Sequence, residues 1–323
     1  MILNIDKHDL ASLTPRDALG RALVDLGEKY GDVVVVTADV GEATRAKYFQ
    51  LKFPERYFNV GISEQDMIGV ATGLALTGFK VYAVAFSMFL MRAWEQVRNS
   101  VARMNVPIKI IGTHAGFSDS YDGASHQCLE DLALMRVLPN MVIINPADAC
   151  EVYEAVTASI GLKSPCYIRI GRDFSINITC NLDYKFEIGK AVIIQEGTDV
   201  SIFTTGQMLP FTVEAVKILE EKGISAELVH FHTIQPLDVS VIEKSARKTG
   251  AVVTIEEHLV RGGFGSAVAE VLVQTYPVPM SIMGATRFGH SAKNPLDLYK
   301  YFGLTSEEIA ARAEELVKIM KRQ

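Results

Sequence analysis

Residues 113–127 hold the densest group of reactive side chains in the chain. Two of the seven histidines, His114 and His126, fall there with two aspartates, Asp119 and Asp122. Gly116, Gly123, Ser118, Ser120 and Ser125 lie between them. Each of these polar groups needs a partner if it is buried, so the stretch reads as the lining of a polar ligand site. Turn formation accounts for Asp119, Asp122 and Gly123 by themselves, but not for the histidines. Two histidines twelve residues apart, with no third ligand at a recognised spacing, give no metal set.

Four further places hold candidate groups. Glu64 follows Ser63 at the start of a helical pattern; taken alone it reads as a first-turn carboxylate facing the helix dipole, worth about 0.3–1 kcal/mol. Phe86 and Phe89, three apart where a strand pattern becomes a helical one, would share a helical face. They serve either as core or as a shelf for a flat heterocycle. Arg169 and Arg172 flank a strand end, and Arg16 sits in the first turn of the first helix. Arg172 and Arg16 suit a two-pronged contact with phosphate, whereas one of the pair Arg169 and Arg172 reads as surface or salt-bridged. Arg261-Gly262-Gly263-Phe264-Gly265-Ser266 resembles a nucleotide loop only superficially, because Val268 stands where GxGxxG needs its last glycine. Tight strand–helix packing is the reading favoured there.

The elements that must position these groups alternate. Short β-branched runs at 33–36, 81–86, 108–112, 141–144 and 166–170 interleave with helical patterns at 64–76, 88–103, 129–137 and 148–160. Thr14-Pro15 opens the first helix with a cap and a first-turn proline. A polar, irregular stretch at 172–189 then leads to a second alternating set. Its strands are expected at 191–194, 200–204, 226–230, 251–255 and 280–283, and its helices at 210–222, 238–249, 265–275 and 306–321. The last helix opens with a capping box from Thr305 to Glu308. Such alternation predicts parallel sheets with crossover helices, hence two doubly wound α/β domains. Ligands in these sheets lie beyond the carboxyl ends of the strands, where the candidate groups fall.

Composition agrees with a globular enzyme-sized chain. Of 323 residues, 49% are hydrophobic and 22% charged, with a formal net charge of −6. That balance favours neither nucleic acid nor an anionic membrane, and no apolar run approaches the roughly 20 residues of a membrane span. No secretory leader is read at 1–8. Cys128, Cys150, Cys166 and Cys180 show no CxxC spacing and read as scattered thiols of a reducing, cytoplasmic setting rather than a disulfide frame.

In combination these motifs are specific. Ile62-Ser63-Glu64-Gln65, Phe86 and Phe89, Asp122-Gly123-Ala124-Ser125-His126-Gln127, Leu138-Pro139-Asn140-Met141 and Pro146-Ala147-Asp148 resemble the pyrimidine-binding domain of transketolases. Thr205-Gly206, Gln235-Pro236-Leu237-Asp238, Glu256-Glu257-His258 and Gly262-Gly263-Phe264-Gly265 look like the transketolase C-terminal domain. The resemblance implies a pyrimidine-binding domain over 10–175 and a C-terminal domain with a smaller mixed sheet over 188–323. It implies thiamine diphosphate as cofactor, with Glu64 on the aminopyrimidine and Phe86, Phe89 and Ile62 against the ring. Arg92 stands where many transketolases carry Tyr. His114, Asp122 and His126 would meet sugar hydroxyls and the reacting carbonyl, and Arg172 and Arg16 a sugar phosphate. Catalysis would fall to Glu64, His126, His114 and Asp122. The Gly-Asp-Gly motif that holds the diphosphate and its metal does not occur in the chain. The resemblance is therefore to the C-terminal subunit of a split enzyme. Mg2+ or Ca2+ would be bound by a separate N-terminal subunit, in a dimer or heterotetramer serving the pentose phosphate pathway. An Arg at 92 also occurs in 1-deoxyxylulose-5-phosphate synthases, but His114 stands where these usually carry Arg. A 2-oxoacid dehydrogenase beta subunit normally lacks the Asp-Gly-x-x-His run, and a non-catalytic binding protein would not need to keep all these groups.

Overall fold

Twelve strands fall into two sheets in the computed structural model, which describes residues 7–321; the stretch Met1–Asp6 and the last two residues of the expected second domain lie outside the described residues. The first sheet contains β1 (Val33–Thr37), β2 (Tyr57–Asn59), β3 (Lys80–Phe86), β4 (Lys109–Thr113), β5 (Val142–Ile144) and β6 (Cys166–Arg169). The second contains β7 (Val192–Gln195), β8 (Val200–Thr204), β9 (Ala226–His230), β11 (Val252–Leu259) and β12 (Met280–Ala285). The remaining strand, β10 (Thr233–Gln235), comes from the second half of the chain but joins the first sheet. The first sheet runs β10-β5-β6-β4-β3-β1-β2 and is parallel except that β10 pairs antiparallel with β5. The second runs β12-β11-β8-β9-β7, with only β7 antiparallel.

Both faces of the first sheet are covered, which is why its strands carry uninterrupted apolar runs. Val33, Val35, Tyr82 and Val84 point into a cluster with Leu19, Leu23 and Leu26 of helix Pro15–Lys29 and Val152 and Val156 of helix Ala149–Ser159. Val34, Val36, Val81 and Ala83 point the other way, onto Met67, Ile68 and Ala71 of helix Glu64–Leu76. Full burial of a side chain such as Leu23 or Met67 contributes about 1.5–3 kcal/mol. The second core cluster does not stop at the domain border: Leu132, Met135 and Leu138 pack with Phe203, Val229, Phe231 and Phe264. The two domains are thus held by a shared apolar seam as well as by the β10 pairing.

Thr14 caps its helix as expected, its hydroxyl accepting from the Asp17 amide at 3.2 Å, and Thr305 accepts from the Glu308 amide at 3.4 Å. Three expectations need correction. The single helix expected at 88–103 is a chain of short pieces, ending in a π-helical stretch over Val97–Ala102. Ala93 leaves helical geometry between the pieces (φ −95°, ψ 13°), and Trp94 turns its indole N–H to the Leu134 carbonyl at 2.9 Å. Phe86 is the last strand residue, in extended geometry, so it does not share a helical face with Phe89. Cys150 and Cys180 are paired as a disulfide, with Cα atoms 5.6 Å apart, while Cys128 and Cys166 are free and buried. Helix Ala149–Ser159 presents Cys150 to the short turn Thr179–Asn181, a proximity that sequence spacing alone does not reveal.

Candidate active site

The carboxyl ends of β3, β4 and β6 open onto one place, and helix Glu64–Leu76 starts beside it. Helix Glu64–Leu76 packs against the segments that follow β3, and the Gln65 side-chain amide donates to the Arg92 carbonyl at 3.4 Å. Glu64 is 7% exposed, and its carboxylate makes no hydrogen bond or ion pair among the described residues. The carboxylate oxygens are not among the fully buried polar atoms that lack a partner, so they face the solvent-filled site and are free to accept from a ligand. Ser63 does not cap the helix with its side chain, so the first turn leaves its amides to other partners.

Beside it the aromatic rings form a column. Phe86 stacks on Phe89 with centroids 4.8 Å apart and planes at 9°, and on His114 at 3.6 Å and 16°. His126 meets Phe89 edge-on at 5.5 Å. The stack arises because the strand end and the first turn after it fold back on each other, while His114 adopts φ +57° at the end of β4. Burial, reinforced by the positive charges of Arg16 and Arg172, pushes the His114 pKa down to about 2, so the ring is neutral. Its Nδ1 lies 2.9 Å from Thr113 Oγ1, whose hydroxyl donates to the Ala85 carbonyl. With that proton committed, Nδ1 is the donor and Nε2 the acceptor, an assignment made from the network.

A charged group lies at the same end. Arg172 Nη1 donates to Asp119 Oδ1 at 2.6 Å and stands 3.9 Å from Asp122 Oδ2. Arg172 Nε is 3.5 Å from Asp173 Oδ2, and Asp173 is also ion-paired with Arg16. Burial, and after it the Asp122 carboxylate, raise the Asp119 pKa, against the lowering effect of Arg172.

The loop between the two histidines is braced from the second domain. Glu257 accepts from the Phe117 amide at 2.8 Å and from the Tyr299 hydroxyl at 2.7 Å. Gly116 sits at φ +66°, and a Cβ there would meet the Glu257 carboxylate, so this close approach requires glycine. Ala292 donates to the Ser120 carbonyl at 2.8 Å, and the Gln127 amide to the His290 carbonyl at 3.1 Å. Beneath the loop Arg169 donates to Asp131 at 2.9 and 3.1 Å, and to the carbonyls of Glu257 and Cys128 at 2.9 and 3.3 Å. Arg169 is therefore the salt-bridged member of its pair. The glycine-rich stretch at 262–265 packs tightly: Glu256 accepts from the Phe264 and Gly265 amides at 2.6 and 2.9 Å. Burial pushes the Glu256 carboxyl up to about 7.

The structure brings together Phe86, Phe89, His114 and His126 in one ring cluster and Arg16, Arg172 and Asp122 in one charge cluster, with Glu64 at the start of the helix packed against the segment after β3. Ile62 is 84% exposed and Arg92 is exposed, both at the rim. Two further site groups carry no sequence signal of their own. Asp119 looks like a turn residue within the polar loop, and Asp173 like part of a polar linker; only contacts across 53 residues to Arg172 and 157 residues to Arg16 give them their place.

Comparison with known proteins decides the family. A model described as the transketolase pyrimidine binding domain matches residues 11–174, and one described as the transketolase C-terminal domain matches residues 189–309. The chain belongs to the transketolase family. It is 44% identical over 307 residues to a protein of Methanocaldococcus jannaschii named "Putative transketolase C-terminal section", covering 94% of this chain and 96% of that one. It is 36% identical over 305 residues to a 6-deoxy-6-sulfo-D-fructose transketolase subunit of a Clostridium species, covering 94% of each. A solved structure titled as a split gene transketolase, inactive beta4 tetramer, superposes with a TM-score of 0.83 at 41% identity, covering 95% of this chain and 98% of the other. The family's pyrimidine-binding domain carries dependence on thiamine diphosphate, and the residues present fit that group. A flat shelf of two stacked rings follows β3, and the helix packed against that segment opens with the mostly buried Glu64, whose carboxylate has no protein partner among the described residues. Among the described residues no helix is long and apolar enough to cross a membrane.

Proposed function

We propose that this chain is the C-terminal subunit of a transketolase that moves a two-carbon ketol unit between sugar phosphates. The observation that carries the reading is the stacked column of Phe86, Phe89 and His114 beside the unpartnered carboxylate of Glu64. Thiamine diphosphate, when bound, supplies the nucleophilic carbon and the electron sink. The chain's own residues do the rest. Glu64 gives the aminopyrimidine a charge-assisted hydrogen bond and holds the proton that sets its tautomer. Phe86 and Phe89 take the flat ring, with Ile62 and Arg92 at its edge. His114 is neutral and keeps Nε2 as an acceptor, which suits a sugar hydroxyl. His126 and Asp122 reach the reacting carbonyl and the neighbouring hydroxyls from the same loop. Arg172 and Arg16 receive the distal phosphate.

A separate N-terminal subunit carries the diphosphate end of the cofactor and its Mg2+ or Ca2+. Support comes from the relatives, named as a C-terminal section and as a subunit, whose length this chain matches. Self-association of this chain fits the beta4 tetramer named in the superposed structure, and joining the N-terminal subunit makes the active assembly a heterotetramer. The test is co-expression with a transketolase N-terminal subunit that carries the diphosphate-binding domain, followed by assay with a pentose-phosphate donor and an aldose-phosphate acceptor. Ketol transfer by the pair, and by neither chain alone, is the expected result. A complex that assembles and binds the cofactor but transfers no ketol group from any ketose phosphate refutes the reading.

A further inference from the structure

The two arginines at the distal end of the site have their positive charge already matched. Asp119, Asp122 and Asp173 all lie within 4 Å of one or both guanidinium groups. Two positive groups thus face three carboxyls. Even with one of the three carboxyls protonated, the charges balance before any phosphate arrives.

The three carboxylates are not equivalent. The side chains of Asp122 and Asp173 are 52% and 47% exposed. An incoming anion can turn Asp122 out into water at small cost, since exposed pairs are worth only about 0–1 kcal/mol, whereas Asp173 holds Arg16, whose side chain is 6% exposed. Asp119 is fully buried: Oδ1 holds Arg172, and Oδ2 has no hydrogen-bond partner among the described residues. Displacing it would strand a carboxylate in the interior, which is strongly unfavourable. Arg172 meanwhile keeps a side chain 33% exposed, so its outer edge remains open to a ligand while its inner edge is tied down.

We propose that Asp119 is a specificity-determining residue of the distal sub-site. It competes for Arg172 from inside the fold and lowers the affinity for a doubly charged distal group relative to a hydroxylated one. The proposal rests on the reading that Arg172 meets the distal end of the sugar. Asp119 therefore sets how strongly the enzyme prefers phosphorylated sugars, and Arg172 alone does not.

The test uses the full chain with inorganic phosphate as probe, titrated at pH 8 and followed by phosphorus NMR, for wild type, Asp119→Asn, Asp119→Ser and Arg172→Ala. Relief of one charge-assisted competitor predicts about tenfold tighter phosphate binding in the Asp119 variants. In the complex reconstituted with the diphosphate-binding subunit, the KM for a phosphorylated acceptor falls by a similar factor, and that for an unphosphorylated ketose donor stays put. Unchanged phosphate affinity in folded Asp119 variants, with a loss in Arg172→Ala, overturns the proposal but leaves the arginine reading standing. No loss in Arg172→Ala overturns the arginine reading itself. If neither Asp119 variant folds, the pair is structural and the proposal fails.

Discussion

Replacing Arg169 by Ala is expected to destabilise the fold by about 3–5 kcal/mol, the cost of leaving buried charges without their counterion. Arg169 is 4% exposed, Asp131 is fully buried and Glu257 is 2% exposed. The truncation removes both bonds to Asp131, the bonds to the Cys128 and Glu257 carbonyls, and an ion pair to Glu257 at 3.7 Å. What remains is unequal. Glu257 keeps the Phe117 amide and the Tyr299 hydroxyl, whereas Asp131 keeps the Tyr167 hydroxyl at 2.8 Å. Asp131 therefore carries most of the loss. A domain of ordinary stability has only about 5–15 kcal/mol in total, so the variant sits near the edge of folding at 37 °C. Chemical denaturation gives the loss directly, and hydrogen exchange locates it: amides at 115–118 and 128–133 should exchange fastest relative to wild type. Replacing the pair together, Arg169→Met with Asp131→Leu, should recover much of the stability, since only Glu257, which keeps the Phe117 amide and the Tyr299 hydroxyl, is then left without its counterion. A loss below about 1 kcal/mol for Arg169→Ala, with an unchanged denaturant slope, refutes the argument that this buried ion pair is needed for the stability of the fold.

Glu64→Gln in the reconstituted enzyme keeps the size of the side chain but removes the carboxyl group; turnover should fall by about 10²–10⁴-fold with assembly intact. Proton–deuterium exchange at the thiazolium carbon of the bound cofactor should slow in parallel, and an unchanged exchange rate returns Glu64 to the role of a first-turn helix residue. Arg172→Ala should raise the KM for phosphorylated sugars by an amount equivalent to about 1.5–3 kcal/mol and spare an unphosphorylated donor; equal losses for both mark Arg172 as structural. Acidification should destabilise the chain from pH 6.5 downward. Burial holds His114 down to about 2 and His232 and His258 down to about 4, so the unfolded chain gains three protons near pH 6.5 that the native chain refuses. Glu256, pushed up to about 7, works the other way by taking a proton in the native state alone. These four groups alone leave two protons, an upper bound of about 2.7 kcal/mol per pH unit, which the carboxyls of Asp119, Glu130, Asp148 and Glu257, all raised by burial, reduce. Denaturation midpoints at pH 7, 6 and 5 measure it, and a flat profile contradicts it.

Much of this was legible because the signals are local. The β-branched run in β8, the apolar run in β9 and the helix Glu64–Leu76 begin and end where composition places them. Strand β10 was not legible: Thr233, Ile234 and Gln235 are too few to show a period, and their pairing with β5 is set by packing between the domains. The same holds at the site. His114 and His126 stood out because turns do not require histidine. Asp119 did not, because a turn aspartate and a buried counterion look alike until Arg172 is placed beside one of them. Cys150 and Cys180 lie thirty residues apart without a motif, and only the docking of the connecting segment on helix Ala149–Ser159 brings them together.

The second domain has its own strand ends, and their chemistry explains why the candidate groups gather on the first. At the end of β11 the N-terminus of helix Phe264–Thr275, an anion-binding feature in an open α/β sheet, is filled by the chain's own Glu256 carboxylate. A Cβ on Gly263 would meet that carboxylate, so the glycines there serve closeness to Glu256 and leave no room for a ligand. Glu257, next along the strand, turns toward the other domain and grips the Phe117 amide. His258, the third, is fully buried with Nδ1 2.7 Å from the Leu259 carbonyl. Three consecutive titratable residues are thus spent inside the protein. One closes the local helix, one fixes the loop that carries His114 and His126, and one packs between. The second domain therefore acts on the site as a wall with a fixed register. Substituting Glu257 should disturb the histidine loop before it disturbs the sheet from which Glu257 projects.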